Sequence, residues 1–186
     1  MDEYDRWVGA LHHHVRTVPP TCLGDLKPEA ANPVEWDDGV KWRLRCACGG
    51  QYGKLLGYSL ADLNPEYTGD PLYVSPLAFL CASCDAVIEF FDSKEHGYDA
   101  EITKGTGAVG DCNVRGESGI RMTAPCLSCG ATVFDLQMRC SHAHLDLIED
   151  EPELASRVQD YFDWMMCTRT CQQCQQSSML VSFELA

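Results

Sequence analysis

The sequence predicts a small α+β fold stapled by metal: two β modules, a helix at the N-terminus, and a further helix inserted in the second module. Three observations predict it. Cysteines recur in short pairs, Cys46-x-Cys48 with Cys81-x-x-Cys84, then Cys126-x-x-Cys129 with Cys171-x-x-Cys174. The residues flanking each pair alternate apolar and polar, as half-buried strands do. The 186 residues leave 32 between Cys48 and Cys81 and 41 between Cys129 and Cys171. Each module is then about 60 residues, too small to rest on an apolar core alone.

A short Cys-x-x-Cys turn presents two thiolates on one side of a knuckle, and two knuckles supply the four soft ligands of a tetrahedral ion with metal–sulfur distances of about 2.3 Å. The pattern therefore predicts two structural Zn²⁺ ions, one held by Cys46, Cys48, Cys81 and Cys84, the other by Cys126, Cys129, Cys171 and Cys174. Gly49 and Gly50 follow Cys48 and Gly130 follows Cys129, where the backbone must turn its N–H groups toward sulfur. A rubredoxin-like iron site uses similar knuckles, and spacing does not separate the two metals. Twelve cysteines also suit a disulfide framework. Against that stands the acidic start, Met1-Asp-Glu-Tyr-Asp5, with no apolar run of leader or membrane length after it. This predicts a reducing, cytoplasmic setting.

In chain order, Tyr4, Trp7, Val8, Leu11 and Val15 fall at helical spacing over residues 3–16, and Pro19-Pro20 ends that helix. Within it, His12, His13 and His14 are consecutive and point in different directions, so solvent or packing roles are expected rather than a metal site. Cys22 stands alone in the following loop, and residues 24–39 read as a connector. Lys41, Arg43 and Arg45 alternate along a strand into Cys46 and read as a solvated face. Strands are expected at Lys54–Leu60, through Leu77–Leu80 into the second knuckle, and at Ala86–Phe91.

Residues 96–121 hold six of the fifteen glycines and read as a linker or exposed loop. Gly105, Gly107 and Gly110 match a dinucleotide fingerprint, but no helix follows to receive a pyrophosphate, so a flexible loop is expected. Ala131 to Cys140 alternates as a strand. Asp146, Glu149, Asp150, Glu151 and Glu153 open an expected helix with Leu154, Val158 and Phe162 on one face, the carboxylates opposing the positive helix end. Tyr161–Met166 and Met179–Leu185 are expected as the strands into and out of the last knuckle. The division is 1–39 for the N-terminal helix and connector, 40–95 for the first module, 96–121 for the linker, and 122–186 for the second module.

Ligand assignment has a local alternative. Cys167 precedes Cys171 by four residues and can replace it, while Cys140, His142 and His144 lie at the end of the preceding strand. A catalytic zinc needs three protein ligands and an open position, whereas four cysteines close the site. His96, Asp99 and Glu101 with Cys112 offer a Cys/His pairing on paper, but nothing in the sequence fixes their geometry.

These cysteine sets resemble the zinc-ribbon (zinc β-ribbon) group over roughly residues 40–92 and 122–186. The resemblance implies β-hairpin modules with closed, structural metal sites. The chain departs from the usual pattern in its Cys-x-Cys first pair and in its long gaps. Because zinc ribbons serve many unrelated functions, function must be argued from elsewhere.

The formal charge is −14, with 14 basic against 28 acidic residues. Two tetrathiolate zinc centres would take it to about −18. Such a charge argues against direct nucleic-acid binding and favours a basic protein partner. The expectation is a non-catalytic, acidic protein-interaction module. Its concrete form is an immunity protein or antitoxin that blocks a basic nucleic-acid-processing toxin by imitating phosphates. The alternatives are a zinc-ribbon regulator or assembly factor of transcription or translation and, behind it, a zinc-dependent enzyme.

Overall fold

Apolar positions at helical spacing do form the first element. In a computed structural model of the chain, helix α1 spans Glu3–Thr17 and buries Leu11 and Val15. The structure describes residues 3–31, 40–104, 115–117, 119–142, 145 and 155–185. Helix α1 packs beside the main core, in a small cluster with Leu145, Val158 and Tyr161. Of the histidine run, His12 and His13 are exposed, and His14 places Nε2 3.0 Å from Gln159 Oε1. Past Pro20 a 3-10 turn, Thr21–Leu23, drops Leu23 into the main core and donates the Thr21 N–H to Asp160 Oδ1 at 2.7 Å.

The described strands join in one eight-stranded sheet. They are β1 (Glu29–Ala30), β2 (Val40–Arg43), β3 (Gly53–Ser59), β4 (Tyr73–Cys81), β5 (Val87–Phe91), β6 (Phe134–Ser141), β7 (Trp164–Cys171) and β8 (Ser177–Glu184). The order is β1-β2-β6-β3-β4-β5, with β7 on the other side of β6 and β8 beyond it. Every pairing between named strands is antiparallel. Alternation decides the faces: Val40 and Trp42 point inward opposite Cys140 and Met138, while Lys41 and Arg43 point outward opposite Arg139 and Gln137.

Two short helices, α2 (Leu60–Leu63) and α3 (Tyr98–Thr103), interrupt the strands. Helix α3 lies in the glycine-rich stretch read as a linker; Glu101 is buried there and ion-paired to Arg157 at 3.0 Å. Gly105, Gly107, Gly110 and Cys112 lie outside the described residues.

The expected helix in the second half needs correction where it is described. Ala155–Asp160 is a 3-10 segment broken at Arg157 (φ −128°, ψ 19°). Val158 turns toward α1 while Phe162 enters the main core, so the two do not share a helical face. Arg157 contacts both Glu101 and Asp160, which favours the break over a continuing helix. Leu154 and Asp146 to Glu153 lie outside the described residues. Strand β7 begins at Trp164, later than Tyr161, and runs without interruption into Cys171.

One row of cross-strand partners crosses the centre of the sheet: Cys81 opposite Gly53, Gly53 opposite Phe134, and Phe134 opposite Cys171. Three strand spacings put the Cys81 and Cys171 backbones roughly 15 Å apart. Gly53 is required by its neighbours, because a Cβ there would meet Leu80 O and the Phe79 ring at 2.6 Å. One core cluster spans both halves, from Leu55, Phe79 and Phe91 to Phe134, Leu136, Met138 and Val181. Among the described residues no helix is long and apolar enough to cross a membrane.

Candidate metal centres

All eight predicted ligand cysteines come together as two groups of four, in each of which the sulfurs lie within 4.8 Å of one another. In the first, Cys46 Sγ is 3.7 Å from Cys84 Sγ and Cys48 Sγ is 3.6 Å from Cys81 Sγ. In the second, the Cys126–Cys174 and Cys129–Cys171 sulfur distances are both 3.5 Å. A disulfide needs about 2.05 Å. A tetrahedron with 2.3 Å metal–sulfur bonds has edges of about 3.8 Å, and the spacing fits that instead. Two Cys₄ groups, each able to hold a metal ion, are therefore present.

The knuckles owe their shape to backbone hydrogen bonds. Cys46 N–H donates to Gly50 O (3.0 Å) and Cys126 N–H to Ala131 O (2.7 Å). Cys81 N–H donates to Ala86 O and Cys171 N–H to Gln176 O, both at 2.9 Å. Each turn needs a left-handed residue, supplied by Gly49 (φ 88°), Gly130 (φ 73°), Asp85 (φ 57°) and Gln175 (φ 60°). The first knuckle closes one residue earlier than the third, and this accommodates the shorter Cys-x-Cys spacing. Gly50 has its own reason: a Cβ there would sit 2.7 Å from Cys81 Sγ.

N–H groups also reach the sulfurs directly, Gly50 to Cys48 at 3.3 Å and Ser83 to Cys81 at 3.4 Å. At Cys126 the N–H groups of Ser128 and Cys129 bring the thiol down to about 6. Burial works against ionisation of Cys81, but the N–H groups of Ser83 and Cys84 and its thiol neighbours bring it to about 7. Each cluster thus holds a thiol ready to lose its proton near neutrality, as a metal ligand must.

A buried arginine stands beside each centre, which sequence reasoning missed. Arg45, expected on a solvated face, is 7% exposed. It lies past the end of β2 and turns in to reach Asp135 (2.7 Å), Glu29 (3.2 Å) and Gln51 O (2.6 Å), just after the first knuckle. Arg169 is 3% exposed and lies over the Phe134 ring at 4.4 Å. It donates to Ala124 O, to Pro125 O (3.2 Å) and to Ser178 Oγ (2.9 Å), holding the chain that enters the third knuckle. Burial lowers its pKa, while Tyr73 and the sulfurs of Cys126 and Cys171 favour its charge.

The alternative ligands do not join. Cys167 is buried in the core with Sγ 3.7 Å from Met165 Sδ, and burial pushes it up to about 12. Cys140 is likewise buried and its pKa is driven well up, by burial first and then by Cys22 and Cys167. His142 bonds through Nε2 to Gln159 O at 3.3 Å, while its buried Nδ1 meets no acceptor or donor among the described residues. His144 lies outside those residues.

The imagined catalytic group is occupied in other ways. His96 Nδ1 engages the Asp92 backbone at 2.9 Å and its ring lies on Phe91, whereas Glu101 is held by Arg157 and Lys104. No family model matches the chain, and no curated protein or solved structure matches it.

Proposed function

We propose that the chain is a zinc-binding, non-catalytic interaction module in which two zinc-ribbon units, closed by Cys46, Cys48, Cys81, Cys84 and by Cys126, Cys129, Cys171, Cys174, are fused into one acidic scaffold. The observation that carries the metal part is the pair of closed four-sulfur groups. With every tetrahedral position filled by cysteine, Zn²⁺ would have no open site for substrate and would act as a staple. Its binding free energy would then be folding free energy.

The partner part rests on uncompensated charge. Asp25, Asp62, Glu66, Asp70 and Asp85 are exposed and make no ion pair among the described residues. A surface cleft of about 590 Å³ has Asp25, Glu89, Asp92 and Glu95 along it and Phe90 and Phe91 in its wall. Two of these carboxylates are already paired, Glu89 with Arg121 at 2.5 Å and Asp92 with Arg115 at 2.6 Å, which leaves Asp25 and Glu95 to a partner. A cleft edged by the free carboxylates Asp25 and Glu95 suits the Lys and Arg side chains of a basic protein. An immunity protein or antitoxin that occludes a nucleic-acid-processing toxin is the concrete form of this reading.

Elemental analysis with thiol titration tests the first part. Two zinc ions per chain and eight thiols newly reactive after chelation are expected; a metal-free, oxidised chain overturns it. For the second, binding of a labelled oligoarginine peptide is measured against a labelled RNA oligonucleotide. Salt-sensitive peptide binding that is weakened by Asp25→Lys with Glu95→Lys supports the reading. RNA binding, or peptide binding indifferent to these changes, overturns it.

A further inference from the structure

We propose that Arg169 is the counter-ion of the second metal centre, and that this makes the second centre the tighter of the two. The inference rests on the reading of both clusters as tetrathiolate metal sites. A buried guanidinium is costly unless an anion answers it. Among the described residues no carboxylate pairs with Arg169; its hydrogen bonds go to two backbone carbonyls and a hydroxyl, and its face to Phe134. Its fork grips the carbonyls of Ala124 and Pro125, immediately before Cys126, and it stands two residues before Cys171 on the same buried face of β7. Four neutral thiols or two disulfides would leave it uncompensated. Four thiolates around a divalent ion carry a formal charge of about −2 and answer it directly.

The first centre lacks this arrangement. Arg45 is similarly buried, but Asp135 and Glu29 already satisfy its charge at 2.7 and 3.2 Å. The first tetrathiolate thus keeps its full dianionic repulsion, whereas the second is partly neutralised. A neighbouring cation stabilises the deprotonated ligand set and so raises metal affinity. Exposure adds to the contrast: Cys48 and Cys84 are both exposed in the first centre, but only Cys129 in the second. A competing chelator or thiol oxidant should strip the first centre first.

The test uses the full chain loaded with cadmium, whose two four-sulfur resonances are assigned by coupling to cysteine β-protons, during titration with a competing chelator. In the wild type the first-centre resonance should vanish first. Arg169→Gln should weaken the second centre by about 10–100-fold, the usual effect of removing a group that supports metal ligands. Arg169→Lys, which keeps the charge but loses the fork to Ala124 and Pro125, should restore most of that loss. Loss of the second centre before the first in the wild-type protein overturns the proposal, even if the Gln variant fails to fold. So does a Lys variant as weak as the Gln variant, because the fork rather than the charge would then matter. A wild-type chain that takes up no cadmium would sink the metal reading itself.

Discussion

The two four-cysteine groups reach nearly the same sulfur geometry with different surroundings. Gly53 and Phe134 stand at matching places, five residues after the second cysteine of their knuckles, and each faces the first cysteine of the later knuckle. Two residues before that later cysteine stand Phe79 in one half and Arg169 in the other. In the first half the bulk comes from Phe79 and the opposite strand retreats to glycine. In the second half Phe134 supplies the ring and Arg169 lies across it. Leu77 and Cys167 also match, each four residues before the later knuckle and each buried. What the halves share is therefore the hydrogen-bonded knuckle. The filling between knuckles is free to change provided its total volume is kept.

Breaking a knuckle should have the largest effect. With zinc in both groups, Cys81→Ser or Cys171→Ser would remove a buried ligand, and a structural zinc contributes on the order of 10 kcal/mol, comparable with the whole stability of a domain. Elemental analysis should show zinc lost from the affected centre, with cooperative melting weakened or abolished. Cys167→Ser is the contrasting case: both zinc ions should remain, at a cost of about 1–3 kcal/mol for a buried hydroxyl without a good partner.

Changing the filling should rank next. Phe134→Ala empties the core beneath Arg169 and should cost about 3–5 kcal/mol by denaturant unfolding. Gly53→Ala overfills the same row on the other side, against Leu80 O and the Phe79 ring, and should cost about 1–3 kcal/mol. A neutral result for both would mean that the row does not bind the halves together.

The smallest effect separates the halves by acid. His142 is buried, and desolvation lowers its pKa below the ordinary 6.5, although the Gln159 carbonyl, Asp163 and Asp160 oppose that. The unfolded chain then binds the proton more readily than the folded one, so this contribution is complete above about 6.5 and shrinks as pH falls below it. His142→Gln should flatten the decline in unfolding midpoint between pH 7 and pH 5, by at most about 1.4 kcal/mol per pH unit.

Local chemistry was legible in the sequence, and long-range pairing was not. The grouping of the eight cysteines, the glycines behind them and the alternation of β2 and β6 follow from spacing a few residues wide. Cys167 could not be told from Cys171 that way, because the distinction depends on where β7 ends. Arg45 reads as an ordinary surface cation, and nothing local singles out Arg169, until carboxylates, carbonyls and a ring from distant segments enclose them. Helix α3 is a single short turn amid glycines, held by the Glu101–Arg157 pair rather than by its own propensity.

Strand β2 belongs to the early part of the chain but pairs with β6, Val40 opposite Cys140, about a hundred residues later. During synthesis, then, Cys46 to Cys84 can emerge, and could capture an ion, well before β2 meets β6, with only the two-residue β1 on its other edge. Over that interval Val40 and Trp42 have no β6 to cover them, and the open edge of β2 is a template for pairing with another nascent chain. The hazard on the ribosome would therefore be premature strand exchange, with early metal capture as its natural brake.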